Sequence, residues 1–182
     1  MDLRRDMKKI ISVTIAIITM FSAVYSQGKV MSTKPCSVGA YVADNDPNGL
    51  NVRATPDKIG KIIHRLIKGD GDISLDITAT SGGGWVKITN AWHGDTGEEF
   101  NGTGWVFATM LATGTKGFPN YDSPAKLYST PSKKSKVLMQ IPAENEVVIL
   151  DCRGNWAKVS YKGTSGWLAR DNQCGSPFTT CN

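Results

Sequence analysis

Short stretches of alternating apolar and polar residues, separated by glycine-rich turns, make up most of the chain after residue 26. In the segment WAKVSY at 156–161, the two kinds of position alternate with a period of two, which is typical of a strand with one buried face. Turn sequences such as SGGG at 81–84 and RGN at 153–155 punctuate these runs, because glycine readily adopts positive φ. No segment after residue 26 sustains a 3.6-residue period, so the pattern predicts an all-β fold of short strands.

The first 26 residues have a different pattern. Basic residues within 4–9 precede an apolar run at 10–24, and the small residue Ser26 follows it. This order is typical of a secretory signal peptide, here residues 1–26. The run is also shorter than the roughly 20 residues that span a bilayer as a helix. We therefore expect a periplasmic or secreted protein with no stable membrane span after cleavage, in preference to a retained membrane anchor.

The rest of the chain contains an internal repeat. Thr55-Pro56 aligns with Thr130-Pro131, WVKI at 85–88 with WAKV at 156–159, and GWV at 104–106 with GWL at 166–168. The three blocks recur in one order, and their offsets shrink from 75 to 71 to 62, so the loops are longer in the first copy. Two small closed barrels are predicted, because closure removes exposed sheet edges.

The repeat also sets the predicted domain boundaries and cores. An N-terminal segment at 27–36 precedes the first barrel at 37–113, and a linker at 114–124 leads to the second barrel at 125–173. A cysteine-bounded tail at 174–182 ends the chain. The predicted core residues are Val52, Ile62, Leu66, Ile73, Leu75, Val86, Ile88 and Val106 in the first copy, and Leu127, Val137, Ile141, Val147, Ile149, Val159 and Leu168 in the second.

The repeated blocks carry a resemblance to a known family. GLNVRATP at 49–56, GKII at 60–63, GWVKI at 84–88 and GWV at 104–106 resemble the bacterial SH3 (SH3b) domain. The second copy matches in LYSTP, NWAKV and GWL, and it departs at the LNVR motif, where it reads KLYS. The resemblance implies two tandem small SH3-like β-barrels. Since SH3b domains often target wall-active enzymes, it also implies cell-wall peptide or peptidoglycan as the ligand class.

Aromatic residues are the candidate ligand-binding positions. The resemblance implies a shallow aromatic groove between loops, in which an extended peptide also makes backbone hydrogen bonds. Trp105 and Trp167 each follow a glycine and are expected to pack on the barrels. The stacking candidates are Tyr41, Trp85 and Trp92 in the first copy, and Tyr128 and Trp156 in the second.

The first copy has an insertion in one hairpin. Twenty residues separate Trp85 from Trp105, whereas eleven separate Trp156 from Trp167, so nine residues are inserted within 91–103. Loops often carry function, and two interpretations remain open: an extended hairpin without a partner, or a protein or glycan contact. A metal site is disfavoured, because one imidazole with flexible carboxylates is a poor preformed site. Besides Trp92, the insertion contains His93, Asp95, Glu98, Glu99 and Phe100.

Four cysteines, an even number, are expected to form disulfides in an exported protein. A turn containing glycine and proline favours Cys174–Cys181, which would leave Cys36–Cys152, while Cys152–Cys174 remains the alternative. Zinc is disfavoured, because the chain has no C-x-x-C pair and no histidine near a cysteine. DNDPNG at 44–49 matches the start of a calcium-binding EF-hand loop, but its twelfth position is Thr55 and not glutamate, so a tight turn is predicted.

The net charge and the residues available for catalysis argue against nucleic-acid binding and against an enzyme. After residue 26 the chain has 17 basic and 14 acidic residues, a net charge of +3 that gives little support to nucleic-acid binding. The histidines are His64 and His93, and the chain has no G-x-S-x-G, P-loop or H-E-x-x-H motif. We therefore expect an exported, non-catalytic binding protein without cofactor or metal, its oligomeric state left open. The alternative is an envelope protein–protein adaptor or inhibitor that uses the insertion.

Overall fold

A computed structural model describes residues 32–116, 120 and 123–175, and these residues form an almost entirely β structure. The all-β prediction is confirmed, and the predicted signal peptide lies outside the described residues. Two short 3-10 turns, Ala108–Met110 and Arg170–Asn172, precede β7 and β13. The strands are β1 Lys34–Val42, β2 Leu50–Arg53, β3 Ile62–Leu66, β4 Ile73–Gly82, β5 Trp85–His93, β6 Gly97–Phe107, β7 Leu111–Thr115, β8 Ala125–Tyr128, β9 Val137–Ile141, β10 Glu146–Arg153, β11 Trp156–Tyr161, β12 Thr164–Leu168 and β13 Gln173–Cys174.

The strand order repeats itself. Twelve strands follow one another as β3-β2-β6-β5-β4-β1-β7-β10-β11-β12-β8-β9, and β13 pairs with β7. Read outward from the centre, one half runs β1-β4-β5-β6-β2-β3 and the other β7-β10-β11-β12-β8-β9. The duplication in the sequence is therefore a duplication of a six-strand, SH3-like unit, as predicted. We call these units the first copy and the second copy.

Strand β7 belongs to both copies. It pairs with β1 through Tyr41↔Ala112, as the last strand of the first copy. It also pairs with β10, and in this role it corresponds to β1 of the first copy, which pairs with β4. In addition, β7 pairs with β13 through Cys174↔Gly114. The segment predicted as a linker, 114–124, thus begins inside a strand, and the copies are joined by pairing instead of standing as separate lobes.

The prediction of closed barrels is wrong. Within the described strands, the sheet ends at β3 on one side and β9 on the other, so both copies stay open. The central strand β7 explains part of this difference, because its ladders join the two copies instead of closing either one. No helix within the described ranges is long and apolar enough to cross a membrane.

The inward faces of the strands form one apolar core. All but two of the predicted core residues are buried. The exceptions are Ile62 and Val137, each 39% exposed, so their assignment to the core is wrong. Both begin a strand at an end of the sheet, β3 or β9, where only one neighbouring strand is available to cover the side chain.

The glycine of each Gly-Trp pair in the repeat lies in close contact with a side chain of the neighbouring strand. A Cβ on Gly166 would lie 2.7 Å from Leu127 Cγ, and one on Gly104 would collide with Val52, the equivalent residue of the first copy. Glycine therefore leaves space for the side chains of Leu127 on β8 and Val52 on β2 beside the neighbouring strands β12 and β6. Of the tryptophans that follow, Trp105 is buried as predicted, whereas Trp167 is half-buried.

A disulfide ties the start of the chain to the second copy. Cys36 on β1 is bonded to Cys152 on β10, with a Cα–Cα distance of 5.9 Å. This is the favoured pairing, and the alternative Cys152–Cys174 is wrong because Cys152 is already bonded. Cys174 is also disulfide-bonded, while its expected partner Cys181 lies outside the described residues.

Candidate functional site

An open depression on the second copy, which we call the Trp156 depression, lies between the β10–β11 turn and the tip of the β8–β9 hairpin. Its volume is about 580 Å³. Trp156 is half-buried and Arg153 is exposed, so the depression offers an aromatic surface beside a guanidinium group. Such a pair can bind a planar or apolar group together with a carboxylate. The lining residues are Thr130, Pro131, Arg153, Gly154 and Trp156.

The aromatic ring of Trp156 is held from behind by Tyr128. Their ring centroids are 5.6 Å apart at an interplanar angle of 86°, an edge-to-face contact. Tyr128 itself is buried and pairs with Trp167 on the neighbouring strand β12. The structure thus brings together the two aromatic candidates of the second copy, with Trp156 offering contact surface and Tyr128 supporting it.

The β10–β11 turn that forms one wall is fixed from two sides. The backbone N–H of Ser37 donates to Gly154 O at 2.8 Å, next to the disulfide of Cys36. On the other side, the buried Gln173 amide donates to Asn155 O at 2.9 Å. The backbone of this turn is therefore held in place, which lowers the entropic cost of binding beside it.

The opposite wall is fixed by polar contacts at the tip of the β8–β9 hairpin. Ser135 Oγ donates to the carbonyl groups of Thr130 at 3.1 Å and of Ser132 at 2.8 Å. Lys133 forms an ion pair with Asp171, which follows β12, and this hydrogen bond raises the pKa of Lys133. Thr130-Pro131 is therefore held at the rim of the Trp156 depression.

The equivalent region of the first copy is built differently. Trp85 packs edge-to-face on Phe107, with ring centroids 5.5 Å apart. Gly84 has a φ of +83°, and a Cβ at this position would lie 2.9 Å from the Phe107 ring. Arg53 takes the place of Tyr128 and donates to Gly60 O at 2.8 Å. Trp85 is thus not brought together with the other candidates of the first copy, Tyr41 and Trp92.

Tyr41 lies at the junction between the two copies. On the outer face of β1 it stands opposite Ala112 of β7, and its phenol group interacts with the Glu146 carboxylate on β10. Burial, together with the negative charge of Glu146, raises the pKa of Tyr41 above its ordinary value. This geometry assigns Tyr41 a contact between copies.

Trp92 is the most exposed of the candidate aromatic residues, with 54% of its surface accessible. It lies on β5 opposite Ser74 of the neighbouring strand β4. Ser74 in turn stands opposite Tyr41 of β1, on the other side of β4. Directly paired residues share a face of a sheet, so Trp92 and Tyr41 project from the same outer face with Ser74 between them. Its ring lies near Gly97, the first residue of β6.

The inserted hairpin, residues 91–103, is an extension of β5 and β6 closed by a tight turn at 94–96. His93 holds that turn. Its Nε2 lies 3.0 Å from Lys68 O and so donates to it, while Nδ1 accepts from the backbone N–H groups of Asp95 at 3.2 Å and Thr96 at 3.4 Å. Both imidazole nitrogens are thus engaged with the backbone, which gives His93 a structural role.

The base of the inserted hairpin covers one face of β3. The Phe100 ring stacks on His64 with centroids 5.0 Å apart, and Glu99 Oε1 lies 3.8 Å from His64 Nε2. Asp95 and Glu98 are exposed near the tip. Within the described ranges no cluster of three or more histidine, cysteine or carboxylate groups is arranged to hold a metal ion.

The DNDPNG loop joins β1 to β2 and forms a turn between strands. The backbone N–H of Asn48 donates to Asp46 Oδ1 at 2.9 Å, and this bond lowers the pKa of Asp46. Its flanking elements are strands, as expected, and not the helices of an EF-hand. Together with 68–70, the loop lines a second depression of about 330 Å³.

Sequence reasoning missed four of the five residues that line the Trp156 depression. Two signals could have found them. The RGN turn immediately precedes Trp156, and Thr130-Pro131 is one of the blocks shared by both copies. A turn beside an aromatic residue at a strand start, facing a repeated turn in the neighbouring hairpin, is a pattern that indicates a candidate site.

The chain was compared with curated proteins and with solved structures. No match is found among curated proteins. Among solved structures, NlpC2 from Trichomonas vaginalis is similar at 17% identity and a TM-score of 0.29, over 76% of this chain and 48% of NlpC2. NlpC1 from the same organism is similar at 17% identity and a TM-score of 0.30, over 78% of this chain and 47% of NlpC1. The chain thus spans about half the length of these two structures.

A third comparison concerns the repeat itself. The profile described as "Bacterial SH3 domain" matches residues 48–112 and again residues 123–172. The two matched segments make up more than half of the chain, and each contains the Trp and Gly-Trp blocks of one copy. The chain therefore belongs to the bacterial SH3 domain family, with two copies in tandem.

Proposed function

We propose that this protein is exported and binds cell-wall peptide through the Trp156 depression of its second copy, without catalysing a reaction. The observation that carries the proposal is the pre-formed depression itself, in which Trp156 and Arg153 stand beside the Thr130-Pro131 rim. Wall peptides are extended and carry carboxylates. A half-buried indole offers them a stacking surface, and a guanidinium group offers a bidentate partner for a carboxylate.

Export is supported by cysteine usage. The Cys36–Cys152 bond crosses from one copy to the other, and disulfides of this kind persist in oxidising compartments. A non-catalytic role is supported by the histidines, since His93 is engaged with the backbone on both nitrogens and His64 stacks on Phe100. A nucleophile–base–orienter arrangement needs a histidine within reach of a nucleophile.

The test is retention of the purified protein on peptidoglycan. We expect the wild type to sediment with wall material, and Trp156→Ala to weaken binding at least tenfold, because buried tryptophans at binding sites are often worth 2 kcal/mol or more. Arg153→Ala should have a smaller effect. Trp92→Ala is the matched control, since it removes a tryptophan that is more exposed and lies on the other copy.

Equal binding by wild type and Trp156→Ala, or no retention of the wild type, would contradict this proposal. Release of soluble fragments from the wall material during the incubation would contradict the non-catalytic part. Circular dichroism of each variant shows whether the fold is kept, so that lost binding is not confused with unfolding.

A second candidate function rests on the exposure of Trp92. We propose as the alternative that the protein is an envelope adaptor or inhibitor, whose inserted hairpin carries Trp92 into a partner protein. Large exposed aromatic residues are typical of interface centres. In this case Trp92→Ala should abolish capture of envelope proteins, while retention on peptidoglycan should depend on neither tryptophan.

A further inference from the structure

The outer edge of the first copy exposes an unusual number of aliphatic side chains. Ile62 and Ile63 on β3 are 39% and 42% exposed, and Ile59 and Ile67, which flank the strand, are 96% and 54% exposed. Among the described strands, β3 pairs with β2 alone, so one row of its backbone polar groups has no ladder partner. An edge that is both apolar and unpaired can accept another strand. We call residues 58–68 the β3 edge.

The same segment is strongly basic. Lys58, Lys61, Arg65 and Lys68 alternate with the isoleucines, and the segment contains no acidic residue. Lys58, Lys61 and Arg65 are exposed, whereas Lys68 pairs with Asp72 at 3.1 Å. A partner that covers the isoleucines must therefore face several positive charges.

The inserted hairpin leaves this edge open. Phe100 stacks on His64, which lies on the partly covered side of β3, while Ile62 and Ile63 stay accessible. An added strand would thus find a free edge with the inserted hairpin packed beside it.

The charge of the β3 edge decides between occupants. A second copy of this chain would bring like charges together across the interface, which is unfavourable. An anionic lipid surface could neutralise the lysines, but it offers no backbone groups to pair with an open strand. An extended acidic peptide segment supplies both the negative charge and the backbone partners.

We propose that the β3 edge binds an extended acidic segment of a partner protein by strand addition. This site is on the first copy, and it is separate from the Trp156 depression of the second. The equivalent strand β9 exposes Val137 and Leu138 to 39% and 40%, but Lys134 and Pro142 stand where the first copy has Ile59 and Ile67. With fewer exposed aliphatic residues, the β9 edge serves as the internal comparison.

The test uses a fluorescent seven-residue peptide of alternating glutamate and valine, with anisotropy as the readout. We expect saturable binding by the wild type, and at least tenfold weaker binding by the double variant K58E/K61E. The matched control K134E/K136E changes two exposed lysines on the β9 side and should stay within twofold of the wild type. The side chains of Lys58 and Lys61 lie on the first copy, outside the Trp156 depression, so retention on peptidoglycan should be unchanged in K58E/K61E.

Two further peptides separate strand addition from simple charge attraction. A peptide with lysine in place of glutamate should not bind, and one of equal charge with alternating prolines, which cannot form a strand ladder, should bind at least tenfold more weakly. Equal binding of the proline peptide, an equal loss in K134E/K136E, or no binding by the wild type would overturn the proposal. So would binding to anionic phosphatidylglycerol vesicles that the acidic peptide fails to displace.

Discussion

Removing the Cys36–Cys152 disulfide should cost a large part of the stability of the described fold. The two cysteines are 116 residues apart in sequence. For a closed loop of that length, the chain-entropy treatment gives a stabilisation of about 5 kcal/mol, and loss of native disulfides typically costs about 2–5 kcal/mol. Since whole domains are stable by only about 5–15 kcal/mol, this loss is a large part of the total free energy of unfolding.

The variant is best made as C36A/C152A, because both side chains are buried and alanine adds no polar atom. Urea unfolding followed by tryptophan fluorescence gives the free energy of unfolding from the midpoint and the slope. We expect a decrease of about 2–5 kcal/mol relative to the oxidised wild type. We also expect weaker peptidoglycan binding, because Ser37, next to Cys36, holds the Gly154 wall of the Trp156 depression.

A decrease below about 1 kcal/mol would refute this reasoning. It would show that the disulfide does not reduce the entropy of the unfolded chain as the length of the loop predicts. Unfolding of the wild type under reducing conditions serves as a parallel measurement. It should move in the same direction and by at least as much, because reduction breaks this disulfide and that of Cys174 without changing any residue.

Two more predictions follow from the contacts between strands. Because the pKa of Tyr41 is raised above its ordinary 10.0, the folded state keeps a proton that the unfolded chain loses above that pH, so stability should fall as the pH rises past 10. The slope due to Tyr41 cannot exceed about 1.4 kcal/mol per pH unit, because only one proton is involved. Tyr41→Phe should flatten this part of the profile in denaturation series from pH 9 to 11, and an unchanged slope would contradict the assignment. Gly166→Ala should lower stability by about 1–3 kcal/mol in thermal melts, because its Cβ would lie 2.7 Å from Leu127, and a stability equal to the wild type would show that β12 can shift to make room.

Local patterns in the sequence were enough to predict the strands and most of the core. Alternation identifies which side chains face inward, and this held for Val86, Ile88, Val147 and Val159. It failed at Ile62 and Val137, because a period of two says which face a residue lies on but not whether a second strand lies beside it. Position at the edge of a sheet depends on pairing between distant segments.

The sharing of β7 was not predictable from the same signals. LATGT at 111–115 contains none of the tryptophan markers that define the repeat, and its partners lie in β1, β10 and β13. The candidate site was predicted only in part, because some of its residues also depend on contacts between distant segments. Trp156 and Tyr128 stand out by residue type, whereas Arg153 and Pro131 become site residues only when two turns from different hairpins meet.

The strand common to both copies has a consequence for how the molecule can be divided. A cut on either side of β7 would leave one of the two fragments without that strand, so that fragment should not be a self-sufficient folding unit. For the same reason the two copies should unfold in a single transition. Their outward surfaces also keep a fixed spacing and orientation, unlike modules carried on a flexible tether.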